Sequence, residues 1–290
     1  MKLLVKFNLV MCVVFLAGLI GAGFVSNRLL QRNAKEEIFE NARIMMEAAV
    51  AVRTYTGKEI KPLLDTQIKY AFLAQSVPAY SANQYFAQIR NKFPEYSYRE
   101  ATLNPTNPVN RANEWEADIV QYFRQNPQET ERVGERDTPT GKALYIARPM
   151  KVGQTCMQCH DTPDNAPRTL VDKYGPSNGF GWKVNDILTA QIVSAPMRLP
   201  VQRAESTFVV FMSSLAVIFA IVFLAVNAML VYLVTRPINR LSAVADELSL
   251  GNLNVPELQS EGSDEIAKLY ASFNRMRKSL MEAIKMLETT

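Results

Sequence analysis

The chain has 290 residues, of which 48% are hydrophobic and 21% are charged, and its formal net charge is +4. This apolar fraction is ordinary for a folded protein and excludes an intrinsically disordered chain. Three cysteines are too few for a scaffold held together by disulfides. The small positive charge lacks the strong basic bias of nucleic-acid-binding proteins, so we expect no nucleic-acid partner.

Two long apolar stretches predict membrane-spanning helices. No charged residue lies between Lys6 and Arg28, and none lies between Glu205 and Arg236. About 20 apolar residues, each rising about 1.5 Å, cross the roughly 30 Å hydrocarbon core of a bilayer. A cleaved signal peptide is the alternative for the first stretch, but the apolar run is long and no clear cleavage site follows it. We therefore predict transmembrane helices at 7–26 and 207–234, in contact with membrane lipid.

The segment between the two spans contains the string CMQCH, which runs from Cys156 to His160, and His160 is the only histidine in the chain. C-x-x-C-H is the attachment signature of a c-type haem. Two thiols three positions apart bond the two vinyl groups of one porphyrin, and the adjacent imidazole coordinates the iron. A zinc site would need four Cys or His ligands, while a thioredoxin-like pair or a simple disulfide is the remaining alternative. We predict one covalent haem c held by Cys156, Cys159 and His160.

A single histidine makes bis-histidine ligation within this chain impossible. Met46 and Met45, on the helix expected to leave the first span, are the main candidates for the sixth iron ligand, because a thioether can bind haem iron. Met150 is a further candidate, and a vacant or water-bound position is the other alternative. The usual role of a methionine is to fill a hydrophobic core. A closed site would suit electron transfer or redox sensing, and an open site would suit gas binding.

The haem prediction also sets the membrane topology. Bacteria attach c-type haem on the outer face of the energy-transducing membrane, so residues 27–206 are expected to be periplasmic or lumenal. Segments 1–6 and 235–290 are then cytoplasmic, with the chain in a bacterial inner membrane, either plasma or thylakoid. The basic residues near the ends of the spans give only mixed support for this orientation.

Heptad spacing predicts two helices after the second span. The two seams consist of Ile238, Leu241, Ala245 and Leu248, and of Ile266, Leu269, Phe273, Met276 and Leu280, with a connector near 251–262. Such helices bury their seams in a parallel four-helix bundle of a homodimer. The strings RPI-x-x-L, GNL and DEI-x-x-L-x-x-SFN-x-M resemble the HAMP domain, the relay of bacterial transmembrane receptors. Because the sequence ends at Thr290, we expect a separate cytoplasmic signalling partner unless the chain is a truncated receptor.

Helical spacing at 27–56, 66–76 and 113–125 alternates with β-prone segments at 96–99, 143–147 and 181–196. The last segment is long enough to bend between two strands. The pattern predicts an α+β domain with N-terminal helices and an antiparallel sheet that carries the haem loop.

Several strings in this domain resemble a family of periplasmic, haem-c-binding, PAS-like sensor domains, formerly a domain of unknown function and often joined to HAMP. Besides CMQCH they are VRTYT, FPEYSYRE, NPTNPVN, DTPDNAPR and GFGWKVNDILTAQ. The resemblance implies a PAS-like sheet that holds one covalent haem. Within it, Arg53 is the preferred cation for a haem propionate. Phe180 and Trp182 could pack on the porphyrin or in the sheet core, and Gly179 and Gly181 mark a bend or a close backbone approach.

These inferences predict a membrane-anchored haem sensor that responds to redox state or to a diatomic gas such as NO, CO or O2. It would relay the haem state through the HAMP domain to the cytoplasmic partner. The alternative is a membrane-tethered monohaem cytochrome c that transfers electrons. We do not expect an enzyme, because no second histidine is available for acid–base work at the haem.

Overall fold

The computed structural model describes residues 3–139, 141–259 and 262–288. The predicted domain limits at residues 1 and 290 lie outside these ranges. The described part divides into two units, one formed by Ser26–Phe208 and the other by the residues up to Val25 together with those from Val209 onward. The helices and strands, in chain order, are α1 (Leu3–Tyr55), α2 (Lys61–Ile68), α3 (Pro78–Lys92), β1 (Ser97–Thr102), α4 (Glu114–Gln125), β2 (Arg132–Thr138), β3 (Gly141–Lys151), α5 (Met157–His160), α6 (Arg168–Tyr174), β4 (Ile187–Pro196), α7 (Arg198–Leu230), α8 (Arg236–Ser249) and α9 (Glu265–Glu288).

The four strands of the described chain form one antiparallel sheet in the order β1-β4-β3-β2. The last strand in sequence, β4, therefore lies between β1 and β3, and nearly all of its residues are buried. Successive side chains of a strand point to opposite faces of the sheet, so a strand buried on both faces needs a cover on each. Helices supply both covers.

One face of the sheet packs against α1 and α3. Helix α1 presents apolar residues every three or four positions, which places them on one side of the helix. The buried side chains of this cluster are Ile38, Ala42, Met46, Ala49, Ala82, Phe86, Tyr98, Leu144, Ile146, Val193, Ala195 and Met197.

The other face packs against α4. Its buried cluster consists of Ala101, Ile119, Val120, Phe123, Ala147, Ile187, Ala190 and Ile192. A capping box begins α4, in which Asn113 accepts from the amide of Glu116 and the Glu116 carboxylate accepts from the amide of Asn113. The buried carboxylate of Glu116 also pairs with Arg99 of β1 at 2.9 Å, which ties the start of the helix to the sheet.

The predicted α+β class, with an antiparallel sheet and N-terminal helices, is confirmed, and so is the helix predicted at 113–125. The interpretation of 181–196 as two strands is wrong, because only Ile187–Pro196 is a strand and a loop precedes it. Strand β2 and helix α3 were not predicted. Helix α2 ends at Ile68 and a 3-10 turn at Ala74–Ser76 follows, where a single helix was expected over 66–76.

Among the described residues, two continuous helical stretches, Leu4–Ile68 and Arg198–Ser249, are long and apolar enough to cross a membrane. Phe15 and Phe219, one on each helix, stack with ring centroids 4.8 Å apart. After α8, the connector that leads to α9 is held by Asn274, whose amide donates to the Leu258 carbonyl and accepts from the Leu258 amide. Helices α8 and α9 touch where the Tyr270 hydroxyl donates to the Pro237 carbonyl at 2.9 Å.

We predict that Phe123→Ala lowers the free energy of unfolding by about 4 kcal/mol, because the ring is completely buried between α4 and the sheet and its removal leaves a cavity. The neighbouring exposed residue gives a control, and Gln121→Ala should change stability by about 0.5 kcal/mol or less. Chemical denaturation of the full chain in detergent measures both. Equal effects would contradict the packing described here.

Candidate haem site

The CMQCH string lies on a short helical segment of the sheet unit. Cys156 ends a 3-10 turn, and α5 continues from Met157 to His160. Residues three positions apart on a helical turn share a face, so Cys156 and Cys159 are neighbours on one side of the turn. Both thiols are free and half-buried. The two sulfurs are thus available for reaction with one ligand.

A lysine from another element lies beside this turn. Lys61, the first residue of α2, donates to the Gln158 side chain at 2.9 Å. Burial raises the pKa of the Cys159 thiol above its ordinary value, while the positive charge of Lys61 acts in the opposite direction. The Cys159 thiol is therefore protonated at neutral pH, which protects it from casual oxidation.

The imidazole of His160 is held by a backbone carbonyl. Its Nδ1 lies 2.7 Å from the carbonyl oxygen of Gly179. A carbonyl can only accept, so Nδ1 carries the proton and donates it, and Nε2 keeps its lone pair. Burial lowers the pKa of His160, and the bond to the Gly179 carbonyl partly offsets this. The imidazole is thus neutral at pH 7, with Nε2 in the form that binds a metal.

Trp182 stacks on this imidazole. The ring centroids are 3.9 Å apart and the planes differ by 5°. The Trp182 backbone amide also donates to the His160 carbonyl at 3.1 Å, and the Gly181 amide donates to the Asp161 carbonyl at 2.6 Å. The loop formed by residues 179–182 therefore contacts the end of α5 through backbone hydrogen bonds and through the Trp182 side chain. Trp182 packs on the histidine, and its contact with the porphyrin stays a prediction.

Gly179 has no room for a side chain. Its φ is +84°, a conformation that L residues rarely adopt, and an added Cβ would lie 2.6 Å from the Thr106 Cα. The Thr106 hydroxyl is also 3.3 Å from Nδ1 of His160. The close backbone approach expected at Gly179 is therefore present, and its partner is the segment after β1.

Arg53 is paired with a carboxylate of the protein. Its guanidinium donates to Glu100, which is 3% exposed. The Tyr98 hydroxyl donates to the other Glu100 oxygen at 2.8 Å and accepts from Gln191 at 2.8 Å. Burial raises the pKa of Tyr98 above its ordinary value, so the hydroxyl keeps its proton and remains a hydrogen-bond donor. This network joins α1 to β1 and β4, and a role of Arg53 toward a haem propionate stays a prediction.

The two candidate methionine ligands, Met46 and Met45, lie in and beside the hydrophobic cluster between α1 and the sheet. Met46 is fully buried there and Met45 packs at its edge. Nearby side chains such as Phe86 and Val193 give Met46 apolar surroundings, as expected of a methionine that fills a core. Iron ligation by either residue stays a prediction.

Sequence reasoning missed three residues that contact the CMQCH turn or the loop above it: Lys61, Asn104 and Thr106. The NPTNPVN string, which contributes to the family resemblance, is the sequence signal that pointed to Asn104 and Thr106. Nothing in the sequence near Lys61 distinguishes it from an ordinary surface lysine.

Residues 31–196 match the Tll0287-like family, described as Tll0287. This range is more than half of the chain. The chain belongs to the Tll0287-like family. Residues 229–282 match the HAMP domain, which is a signalling relay and is often dimeric. The resemblance to a sensor-domain family joined to HAMP is thereby confirmed, whereas the predicted limits of the domains and spans stay predictions.

One solved structure that resembles this Tll0287-like chain is described as the crystal structure of the cyanobacterial heme-protein Tll0287. It is 18% identical, with a TM-score of 0.43, over 55% of this chain and 95% of that chain. No curated protein matches the sequence.

Two glycines of the same loop give a matched test of the site. Gly181→Ala should lower the free energy of unfolding by about 1 kcal/mol, because the φ of Gly181 is positive but the space around it is open. Gly179→Ala should cost about 3 kcal/mol, because the same strain is joined by overpacking against Thr106. Chemical unfolding of the two full-length variants measures the difference. If Gly179→Ala is the milder change, the close approach to Thr106 is wrong.

Proposed function

We propose that this chain is a membrane-anchored c-type haem sensor that relays the state of its haem through the HAMP domain to a separate cytoplasmic signalling protein. The observation that carries this proposal is the arrangement at the CMQCH turn. Two free thiols share a face of one helical turn, and the adjacent imidazole has Nδ1 committed to the Gly179 carbonyl and Nε2 free to bind iron. A sensor domain of the Tll0287-like family joined to HAMP agrees with a signalling role.

The donor set fits a covalent haem better than a bare metal ion. Among the described residues, no group of three or more His, Cys, Asp or Glu side chains is placed to hold a metal ion. Two thiols and one imidazole suit a porphyrin, which supplies four nitrogen ligands of its own and needs few from the protein. The family is named for Tll0287, which is described as a heme-protein, and this agrees with the fit.

Each residue of the candidate haem site has a defined part in the proposal. Cys156 and Cys159 would hold the haem through two thioether bonds, which form when each S–H bond adds across one vinyl group of the porphyrin. His160 would coordinate the iron through Nε2, while the Gly179 carbonyl keeps Nδ1 protonated. Met46 or Met45 is the proposed sixth ligand. The bound haem supplies an iron whose oxidation state or coordination changes with the stimulus.

The membrane placement follows from this attachment chemistry. The sheet unit is proposed to be periplasmic or lumenal, with the HAMP segment on the cytoplasmic side of a bacterial inner membrane. Two sufficiently long and apolar helices support two crossings. Such crossings put both ends of the chain on one side, which suits a receptor that senses outside and signals inside.

Exposed seam residues support a homodimer. Ile238 of α8 is 40% exposed in the single chain, and Leu269, Met276 and Leu280 of α9 are similarly exposed. Apolar residues at heptad spacing are normally buried by partner helices. A second copy of the chain would cover them in a parallel four-helix bundle.

The proposed signal leaves the sheet through β4. This strand pairs with β1 and β3, and a single residue, Met197, separates its end at Pro196 from the start of helix α7 at Arg198. A change in the loop 179–182 that shifts β4 is therefore passed directly to α7, which contains the second predicted span. A relay of this kind requires that the two states of the bundle interact differently with the two haem states.

We predict that Cys156→Ala combined with Cys159→Ala abolishes covalent haem, whereas Cys12→Ala leaves it unchanged, since Cys12 lies in the apolar part of α1. The readout is haem-dependent peroxidase staining of the denatured full-length protein, made in cells that mature c-type cytochromes. Covalent haem on the double variant, or its absence from the unsubstituted protein, would refute the proposal.

A cross-link tests the relay without knowledge of the partner. Coupling between two sites is reciprocal, so a HAMP bundle locked in one state should shift the reduction potential of the haem. Leu241→Cys in a Cys12→Ala background should form a disulfide across the predicted seam, and the exposed neighbour Ser242→Cys should do so far less readily. The measurement compares the potential of the cross-linked protein with that of the same variant alkylated. Equal potentials would contradict the relay and favour the tethered cytochrome.

A further inference from the structure

We infer that Asn104 is a positioning residue for His160, acting through the loop 179–182 that holds the imidazole. This inference rests on the proposed function, because it concerns the proposed axial ligand of the haem. Asn104 forms three hydrogen bonds with this loop. We call Asn104 together with residues 179–182 the bracket.

Three polar groups of Asn104 form hydrogen bonds with the loop. Its side-chain oxygen accepts from the Gly179 amide at 3.0 Å, and its side-chain nitrogen donates to the Phe180 carbonyl at 3.2 Å. Its backbone carbonyl accepts from the Trp182 indole nitrogen at 3.2 Å. Asn104 therefore fixes two of the residues that touch the imidazole, namely the glycine whose carbonyl accepts from Nδ1 and the tryptophan that stacks on the ring; Thr106 also lies within 3.3 Å of Nδ1.

Local geometry holds Asn104 in place. It lies two residues after the end of β1, and the Leu103 amide donates to the Leu188 carbonyl at 3.0 Å, which extends the pairing of β1 with β4. The next residue, Pro105, is buried and restricts Asn104 to extended backbone conformations. An asparagine placed in this way by the sheet transmits the rigidity of β1 and β4 to the loop.

The bracket gives the ligand one orientation. A histidine whose Nδ1 bond is lost can rotate about its side-chain torsions and can move its proton to Nε2, which blocks coordination. Removal of an outer residue that orients a metal-binding histidine typically lowers metal affinity or activity by about tenfold or more. We therefore assign to Asn104 the task of keeping Nε2 aimed at one point.

The test compares Asn104→Ala with Asn107→Ala in the haem-loaded full chain. Asn107 lies in the same NPTNPVN string and caps a 3-10 turn by accepting from the Val109 amide, so it provides a matched removal of an asparagine side chain. The readout is the electron paramagnetic resonance spectrum of the oxidised protein, which responds to ligand orientation. We expect one narrow species for the unsubstituted chain and Asn107→Ala, and a broadened or multiple signal for Asn104→Ala.

A milder variant guards against misfolding. Trp182→Phe keeps a ring that can stack on the imidazole and removes only the indole donor to the Asn104 carbonyl. It should broaden the signal in the same way but to a smaller extent. Unchanged spectra for both Asn104→Ala and Trp182→Phe would overturn the inference.

Hydrogen–deuterium exchange of the haem-free full chain separates this inference from the proposed function. Asn104→Ala removes the acceptor of the Gly179 amide, so peptides that contain 179–181 should exchange about tenfold faster, with no change in Asn107→Ala. A chain that never carries covalent haem would refute the proposed function, while exchange would still report on the bracket. Equal exchange in the two variants would refute the bracket even if haem is bound.

Discussion

The candidate haem site depends on the hydrogen bond between the His160 imidazole and the Gly179 carbonyl. A histidine beside two cysteines can carry its proton on either nitrogen, and only one of the two tautomers offers Nε2 to a metal. The carbonyl, 2.7 Å from Nδ1, selects that tautomer. Because the chain has a single histidine, the site has no second imidazole to replace it.

This hydrogen bond needs a loop that cannot relax away from it. The positive φ of Gly179 and the closeness of Thr106 leave no space for any other residue at that position. The loop leads into β4, which is covered on both faces and continues after Pro196 into α7. The loop, the central strand and the helix with the second apolar stretch are therefore consecutive along the chain.

A buried polar network adds a second connection at the sheet. Glu100 on β1 binds Arg53 of α1 and Tyr98, and Tyr98 is bonded to Gln191 of β4. A carboxylate buried in this way is costly unless every oxygen is paired, so its partners are fixed in position. The network joins the C-terminal part of α1, the helix that also contains the first apolar stretch, to the strand that precedes the second stretch. Any rearrangement of the sheet must preserve or break this network as a unit.

The features that the sequence allowed us to predict are local. Charge-free stretches, the CMQCH spacing, and the apolar period of α4 each depend on residues close together in the chain, and the structure contains a helix or turn at each. Strand β2 was missed because RVGERDT has no apolar alternation and is a strand only through pairing with β3. The bracket was missed because Asn104 and Gly179 are separated by 75 positions, and no pattern in one sequence shows which distant asparagine meets which glycine.

The most direct measurement is the ¹⁵N NMR spectrum of the imidazole in the haem-free full-length protein, labelled only at histidine. With a single histidine in the chain, the spectrum has one pair of ring nitrogens to assign. The account predicts a neutral ring at pH 7 with the proton on Nδ1 and a bare Nε2. A ring protonated on Nε2, or on both nitrogens, would contradict it.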